Sequence, residues 1–191
     1  NSLQKDNHGL PRWHLQYQWY EFHQNNVFDV DVTKLIINVN NSGITGKQLG
    51  DILRYKYNIE VEMDSLKYVL GITTICDDYK ELERLAEALK EIDKSLEEKQ
   101  NENISVELLK NKRMYSTYET DLKEKNTVNL FDSKDCISGE FVFLYPPGIP
   151  LVVPGEVITE ELLEQIKVYL EANMNISGLK DNSNKTIEVV K

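Results

Sequence analysis

A proline-rich stretch, residues 145–156, constrains the fold of this chain more than any other feature of its sequence. It reads YPPGIPLVVPGE and contains four of the chain's five prolines. Each proline fixes φ near −65°, removes a backbone donor and pushes the preceding residue out of the helical region. Pro154-Gly155 is typical of a type II turn, because glycine readily adopts positive φ. The stretch therefore predicts a stiff, extended, apolar ribbon, which is either a structural loop docked on a core or a rigid mount that holds Tyr145 at the edge of a site.

Length and composition are those of an ordinary soluble protein with one domain or two small ones. The chain has 191 residues, of which 40% are hydrophobic and 28% charged. No apolar run approaches the roughly 18 residues that a membrane span needs, and the sequence does not open with a basic region followed by an apolar one. We therefore expect a cytoplasmic protein. Cys76 and Cys136 lie far apart without Cys-x-x-Cys spacing, so we expect free thiols, with a disulfide between them as the open alternative.

The charge balance limits the partners to be expected. There are 32 acidic residues against 22 basic ones, which gives a net charge of −10. This balance argues against binding to nucleic acid and against attachment to anionic membranes. It is compatible with a small cationic substrate.

Residues 1–26 form an irregular, aromatic-rich lead-in. Its aromatic side chains crowd together at Trp13, Tyr17, Trp19, Tyr20 and Phe22. It also holds the chain's three histidines, His8, His14 and His23. Their spacing fits no familiar ligand pattern and no cysteine or acidic cluster joins them, so we predict no metal site. The aromatic residues are more typical of a segment that covers an apolar surface.

The first predicted domain covers residues 27–98 and has the order strand, helix, strand, strand, helix. The strands are predicted at residues 34–40, 59–63 and 68–75 from β-branched runs or alternating polarity. Thr45 with Gln48 and Asp78 with Glu81 are capping boxes that open the two helices. The first helix is expected to end at Asn58. The predicted buried face of the second helix consists of Leu82, Leu85, Ala86, Leu89, Ile92 and Leu96, and its other face carries three oppositely charged pairs at i, i+3 spacing, Glu81–Arg84, Glu87–Lys90 and Glu91–Lys94.

Residues 99–103 are polar and predict a linker to a second domain, residues 104–191. This domain is less regular, and residues 114–126 fit no simple pattern. A short helix is predicted at residues 106–109, strands at 128–131, 140–144 and 186–190, and a final helix that Thr159 caps. The fold class is thus α+β or α/β, with a small sheet carrying helices on one face, followed by a smaller α+β domain.

The sequence holds few motifs that carry chemistry. No Gly-x-Gly-x-x-Gly or P-loop motif occurs, so dinucleotide and nucleotide-phosphate sites are unsupported, and no Gly-x-Ser-x-Gly motif occurs either. The acidic position of interest is Glu62, because alternation places Glu60 and Glu62 on the polar face of a predicted strand. Such a carboxylate either binds an ammonium or guanidinium group through charge-assisted hydrogen bonds or simply faces water.

Two separate segments resemble the bacterial ornithine/lysine/arginine decarboxylases. Residues 145–156, with Ser138-Gly139-Glu140 before them and Val157-Ile158-Thr159 after them, resemble the C-terminal signature of this family. Residues 31–39, 43–46 and 57–63 resemble its small domain, and the resemblance runs from about Val27 to Leu179. It implies a pyridoxal-phosphate enzyme of the aspartate-aminotransferase fold. In such an enzyme, the resemblance implies that Glu62 binds the distal amine or guanidine of the substrate. It implies that Tyr145 lines the active-site entrance.

The chain also departs from the family's pattern. The Ser-x-His-Lys segment with the Schiff-base lysine and the aspartate that pairs with the pyridinium nitrogen are not present. The resemblance therefore implies a C-terminal portion without catalytic or cofactor-binding residues, which is inactive alone and binds no cofactor alone. Its implied partners are a missing pyridoxal-phosphate-binding large domain, a basic amino acid and, in the intact enzyme, further copies of the same chain. Lysine, arginine and ornithine stay open as substrates.

Two other readings remain at this point. The chain is alternatively a non-catalytic binding or assembly module of the same fold that acts with a separate catalytic chain. A third reading is an unrelated α/β domain with a chance proline-rich loop.

Overall fold

The computed structural model of the chain describes residues 31–40, 42–96 and 109–191. The chain divides into two compact units, of which the first ends at Ile104 and the second begins at Ser105. The aromatic lead-in, the predicted linker at 99–103 and all but the last residue of the helix predicted at 106–109 lie outside the described residues. The predicted domain boundaries therefore stay predictions.

The first unit contains a three-stranded antiparallel sheet and two helices. Its elements are β1 Lys34–Asn38, α1 Gly46–Tyr57, β2 Met63–Asp64, β3 Tyr68–Ile72 and α2 Tyr79–Ser95. The strand order is β1-β3-β2, with Ile37 opposite Val69 and Met63 opposite Leu70. The central strand is therefore the third in sequence.

Both helices of the first unit pack on one face of its sheet. The buried cluster joins β1, its extension and β3 to the two helices and consists of Ile37, Val39, Val69, Leu49, Leu53, Ala88 and Ile92. Ile36, which points to the opposite face, is 45% exposed. The predicted class, a small sheet with helices on one face, is confirmed for this unit.

Both predicted capping boxes are present. The amide of Gln48 donates to the Thr45 hydroxyl at 3.1 Å, and the Thr45 amide donates back to the Gln48 side chain at 2.8 Å. Asp78 and Glu81 exchange the same two bonds at 3.0 and 3.1 Å. Asn58 ends α1 with φ 52°, as predicted, because asparagine tolerates the left-handed region.

The strand predicted at residues 59–63 is wrong over most of its length. Only Met63 pairs in the ladder, together with Asp64. The amide of Ile59 instead donates to Leu53 O at 3.0 Å and closes the end of α1, so the chain is still completing the helix where the alternation predicts a strand. The next predicted strand is also shorter than expected, since β3 ends at Ile72.

The second helix differs from its prediction in two ways. Leu82 is 41% exposed, and Ala88 rather than Ala86 belongs to the buried cluster, because the first turns of α2 stand away from the sheet. None of the three predicted i, i+3 ion pairs occurs. Glu81 serves the helix cap, and Glu91 binds Lys56 of α1 at 2.9 Å.

The second unit contains two small antiparallel sheets. Its elements are α3 Thr117–Asp121, β4 Lys125–Asn129, a 3₁₀ turn Leu130–Asp132, β5 Val142–Leu144, β6 Ile149–Val152, α4 Glu160–Glu171, β7 Ile176–Ser177 and β8 Thr186–Val190. One sheet pairs β4 with β8, and the other has the order β6-β5-β7. The predicted α+β class is confirmed here as well.

Local chemistry explains where the elements of the second unit begin. Thr159 caps α4 by accepting from the Leu162 amide at 3.2 Å, as predicted. Ser116 opens α3 with a capping box that sequence reasoning missed. The strand predicted at 128–131 is shifted, because Asn129 accepts from the Phe131 amide at 3.0 Å and starts the 3₁₀ turn.

Glu140 is buried outside the strand that was predicted to contain it. Glu140 is 6% exposed, and its carboxylate accepts hydrogen bonds from the amides of Lys180 and Glu188 at 3.0 and 2.8 Å. Buried charges are tolerated when such bonds satisfy them. Glu140 therefore ties the start of β5 to the C-terminal part of the unit.

Candidate functional site

The proline-rich segment forms a hairpin and not a uniformly extended ribbon. Strand β5 leads into a turn, and Gly148 donates its amide to Leu144 O at 2.9 Å before β6 returns antiparallel. Gly148 has φ 99°, which reverses the chain direction at little cost only for glycine. Pro150 lies in β6, an edge strand, where the missing amide donor is tolerated.

The second half of the segment is anchored in the second unit. Leu151, Val152, Pro154 and Gly155 are buried. The predicted turn is confirmed, since the amide of Glu156 donates to Val153 O at 3.1 Å and Gly155 has φ 94°.

Backbone bonds fix this turn further. The carbonyl of Gly155 accepts from Met114 and Tyr115, at 2.8 and 3.2 Å, and its amide donates to Ser138 O at 2.8 Å. The turn at the base of the hairpin is thus hydrogen-bonded to two other parts of the second unit, Met114-Tyr115 and Ser138.

Tyr145 stands at the tip of this hairpin. It follows the last residue of β5, and its amide donates to Asn175 O at 3.0 Å. The residue is 54% exposed, and its hydroxyl forms no hydrogen bond with any residue that the structure describes. The backbone at Tyr145 is thus hydrogen-bonded, whereas its phenol is exposed.

Two phenylalanines that sequence reasoning missed lie next to Tyr145 along the chain. Phe143 is in β5, Phe141 and Tyr145 directly flank this strand, and all three are more exposed than Val142 and Leu144 between them. Phe141 is 45% exposed, and the Phe143 ring lies close to Gly178. The period of two in FVFLY is a signal from which this aromatic row was predictable.

Glu62 lies in the first unit, immediately before β2. Its amide donates to Leu70 O at 2.8 Å, so its backbone continues the sheet ladder by one bond. Its side chain is exposed and makes no hydrogen bond or ion pair with any residue in the described ranges. The predicted orientation away from the core is thus found, although the strand is shorter than predicted.

The neighbouring carboxylates differ from Glu62 in their surroundings. Glu60 accepts from Arg54 Nε at 2.8 Å and from its second guanidinium nitrogen, and this bonding lowers the pKa of the Glu60 carboxyl. Asp64 is half-buried, and this burial raises the pKa of its carboxyl. Glu62 is therefore the carboxylate in this run that is both exposed and unpaired among the described residues.

The two predicted site residues lie in different units. Glu62 belongs to the first and Tyr145 to the second. Their predicted roles in substrate binding stay predictions.

The first unit also contains an open groove that the sequence did not indicate. Its volume is about 200 Å³. Its apolar lining includes Leu35, Ile59, Val61 and Leu85, and its charged lining includes Glu60, Asp77, Glu81 and Arg84. Glu62 does not line it.

The described residues do not fit a pyridoxal-phosphate site. A lysine that forms a Schiff base needs a desolvated, unpaired amine. Three described lysines are half-buried, and each already has a partner: Lys47 and Lys125 bind aspartates, and the Lys123 amine lies 4.1 Å from the centre of the Tyr115 ring. That no cofactor-binding residue lies in this chain stays a prediction.

The described ranges contain neither a cluster of potential metal ligands nor a membrane-spanning helix. No group of three or more potential metal ligands occurs there, and the three histidines lie outside these ranges. No helix in the described part is long and apolar enough to cross a membrane. Cys76 and Cys136 are both free thiols, as expected.

Comparison with known sequences relates the chain to one group of enzymes. Residues 94–182 match the family model described as Orn/Lys/Arg decarboxylase, C-terminal domain. The arginine decarboxylase of Bacillus subtilis (strain 168) is 37% identical over 167 residues, which cover 86% of this chain and 34% of that protein. The arginine decarboxylase of Bacillus anthracis is 33% identical with the same coverage. The chain thus spans about a third of the length of the curated relatives it matches.

Solved structures with the same fold are lysine decarboxylases. The constitutive lysine decarboxylase of E. coli has a TM-score of 0.65 at 17% identity, over 85% of this chain and 32% of that chain. The lysine decarboxylase of Francisella novicida has a TM-score of 0.65 at 18% identity, over 99% of this chain and 36% of that chain. At this identity the likeness concerns the fold.

Proposed function

Because residues 94–182 belong to the Orn/Lys/Arg decarboxylase C-terminal domains, we propose that this chain is the C-terminal part of a decarboxylase that acts on a basic amino acid. In this proposal the chain recognises the substrate side chain and borders the active-site entrance. The parent enzyme converts lysine, arginine or ornithine to the corresponding amine and CO₂.

The unpaired state of Glu62 is the observation that carries the proposed substrate role. A cationic side chain needs a carboxylate that is not already neutralised, and Glu60 is already bound to Arg54. Glu62 has no such partner among the described residues. A charge-assisted bond from its carboxylate to an ammonium or guanidinium group is worth about 1.5–3 kcal/mol. This energy is supplied away from the reacting carbon.

Tyr145 supports the entrance role through its position at the hairpin tip. Its backbone is fixed by Asn175, whereas its phenol is 54% exposed. Because the backbone is already held, only the phenol side chain has to be ordered when a ligand binds. We propose that the phenol borders the bound substrate and helps to exclude water.

Pyridoxal phosphate enters this proposal through the family and not through residues of this chain. Such a cofactor supplies an electron sink for the loss of CO₂. In the parent enzyme it would be held by the large domain, which carries the Schiff-base lysine.

The Glu62 role is tested by Glu62→Gln in the full-length parent enzyme, with Glu60→Gln as the matched control. Loss of the proposed bond raises KM for the basic substrate by roughly 10- to 100-fold, since about 1.4 kcal/mol corresponds to a factor of ten. The control removes a carboxylate two residues away that is already paired with Arg54. It should leave KM within about twofold, because that carboxylate has no free charge to offer.

Two results would contradict the proposal. An unchanged KM in Glu62→Gln, or an equal rise in both variants, removes the substrate role of Glu62. The upstream reading frame separates the decarboxylase from a non-catalytic module, since a Ser-x-His-Lys segment in the same frame is expected for the former alone.

A further inference from the structure

The face of α2 that packs on the sheet carries two charged residues near its N-terminal end. Glu81 and Arg84 lie seven and four residues before Ala88, so all three share one face of the helix. Ala88 is 2% exposed and belongs to the buried cluster, whereas Glu81 and Arg84 line the open groove together with the apolar residues Leu35 and Ile37. The ion pair that the spacing of Glu81 and Arg84 predicts does not form. Two opposite charges therefore lie beside apolar surface without neutralising each other.

The four charged side chains that line the groove differ in what they already bind. Glu60 is paired with Arg54. Asp77 and Glu81 each accept a backbone amide with one carboxylate oxygen, and the other oxygen of each has no hydrogen bond among the described residues. Arg84 makes neither an ion pair nor a hydrogen bond within the described ranges. The groove therefore offers an unpaired guanidinium and two unbonded carboxylate oxygens at once.

The apolar part of the groove has room for one short aliphatic group. Its floor includes Ile37, which is 1% exposed, and Gly71, which contributes no side chain. An added Cβ on Gly71 would have the Leu35 Cβ, at 3.7 Å, as its nearest heavy-atom neighbour, so the space beside this glycine is open. The groove volume of about 200 Å³ is smaller than the roughly 300–1,000 Å³ of sites for drug-sized ligands. It suits a molecule of the size of a single amino acid.

We propose that the groove binds a free α-amino acid with an aliphatic side chain. The ligand carboxylate accepts hydrogen bonds from the Arg84 guanidinium, and the ligand ammonium donates to the unbonded oxygens of Asp77 and Glu81. Its side chain covers the apolar floor, which removes apolar surface from water. A ligand of one charge only would leave part of this lining without a partner. The inference does not rest on the proposed function, since Glu62 does not line the groove.

L-leucine is the probe, and analogues that each lack one of its groups are the controls. Amide NMR shifts of the full 191-residue chain give the affinity, and the amides of Gly71 and Thr73, which line the groove, give the location. The analogue 4-methylpentanoate lacks the ammonium, 3-methylbutylamine lacks the carboxylate, and glycine lacks the aliphatic side chain. We expect L-leucine to bind saturably at millimolar concentration and each analogue to bind about tenfold more weakly or less tightly still.

Matched substitutions separate the two charged contacts. Arg84→Gln should weaken L-leucine binding about tenfold and leave the weaker binding of 3-methylbutylamine unchanged, because that amine has no carboxylate. Glu81→Gln should weaken L-leucine and the amine but not 4-methylpentanoate, and it keeps the helix cap because glutamine also serves at this position of a capping box. Lys90→Gln and Glu83→Gln are the controls. Both residues are exposed on α2 outside the groove lining, so neither variant should change the affinity.

A further variant tests the apolar contact by filling the floor. Gly71→Val adds a side chain beside Ile37 without a close contact at Cβ, and β-branched residues suit a strand. It should reduce the affinity for L-leucine to that of glycine. Dispersion of the amide spectrum checks that each variant is folded, and the two charge variants still decide the question if Gly71→Val does not fold.

Four results would overturn the proposal. L-leucine produces no saturable shift of the Gly71 and Thr73 amides, an analogue that lacks one charge binds as tightly as L-leucine, or a control variant weakens binding as much as Arg84→Gln does. The fourth is equal binding of a peptide that ends in leucine, whose amine is remote, because the groove would then be a site for a peptide C-terminus. None of these measurements involves decarboxylation, so they leave the Glu62 test untouched.

Discussion

The two halves of the proline-rich segment both contain proline and glycine but have opposite environments. Residues 145–150 are all exposed, whereas Leu151, Val152, Pro154 and Gly155 are buried. Each half contains one glycine at positive φ, 99° for Gly148 and 94° for Gly155. An added Cβ on Gly148 would meet nothing within 4 Å, but on Gly155 it would overlap the carbonyl oxygen of Tyr115 and lie 2.8 Å from the Thr120 hydroxyl.

This difference indicates that the two halves of the segment have different structural roles. The second half fixes the position of the hairpin, and the first half presents Tyr145 on a stiff turn. The same residue types, proline and glycine, serve both purposes because proline limits the backbone and glycine permits its reversals. Substitutions in the two halves should therefore differ in size and in kind.

Gly155→Ala should have the largest effect. The left-handed conformation disfavours a side chain, and the new methyl group must also displace the backbone of Tyr115, so we expect a loss of about 3–5 kcal/mol in the stability of the second unit. The urea dependence of amide exchange in α4 measures this unit by itself. A loss under about 1 kcal/mol would show that the base of the hairpin is not rigid.

Asn111→Ala should have the next largest effect. The Asn111 amide donates to Leu151 O at 2.7 Å and to Glu156 at 3.3 Å, and Leu151 is only 9% exposed. Its removal leaves a buried carbonyl without its donor, which costs about 1–3 kcal/mol. Asn126→Ala in β4 is the control, because that exposed side chain has no hydrogen bond in the described residues. Equal losses in the two variants would contradict a specific role for Asn111.

Gly148→Ala should cost less than either change. It carries the backbone penalty of a side chain at positive φ, about 1–2 kcal/mol, without any collision. Exchange should quicken in β5 and β6 while α4 is affected less than in Gly155→Ala. A loss of stability as large as that of Gly155→Ala would mean that backbone strain at positive φ, and not the close packing around Gly155, accounts for the effect of both substitutions.

The helix starts were predictable from the sequence because their chemistry is local. Thr45 with Gln48 and Asp78 with Glu81 lie within three residues of each other, so their spacing alone determines the caps. The prediction of a strand at 59–63 failed because the amide of Ile59 instead donates to Leu53 O at the end of α1. Partners of this kind depend on the three-dimensional path of the chain.

The candidate site shows the same limit. Alternation predicted that Glu60 and Glu62 both face away from the core, and both are exposed. It did not distinguish them, because Arg54 reaches Glu60 across the end of α1 and leaves Glu62 unpaired among the described residues. The hairpin was likewise not predictable from the sequence, since prolines indicate a stiff backbone but not where the chain reverses direction.

Tyr145→Phe should have the smallest effect on stability and is the sharpest test of the presenting half. The phenol is 54% exposed and its hydroxyl has no hydrogen-bond partner in the described residues, so the free energy of unfolding of the second unit should change by less than about 0.5 kcal/mol. Amide exchange in α4 measures this, as for the other variants. A loss above about 1 kcal/mol would show that the hydroxyl stabilises the second unit. It would then contradict the difference in role between the two halves of the segment. With stability unchanged, a rise in KM of the full-length enzyme carrying Tyr145→Phe is attributable to the substrate, because the substitution removes one oxygen and leaves the hairpin intact.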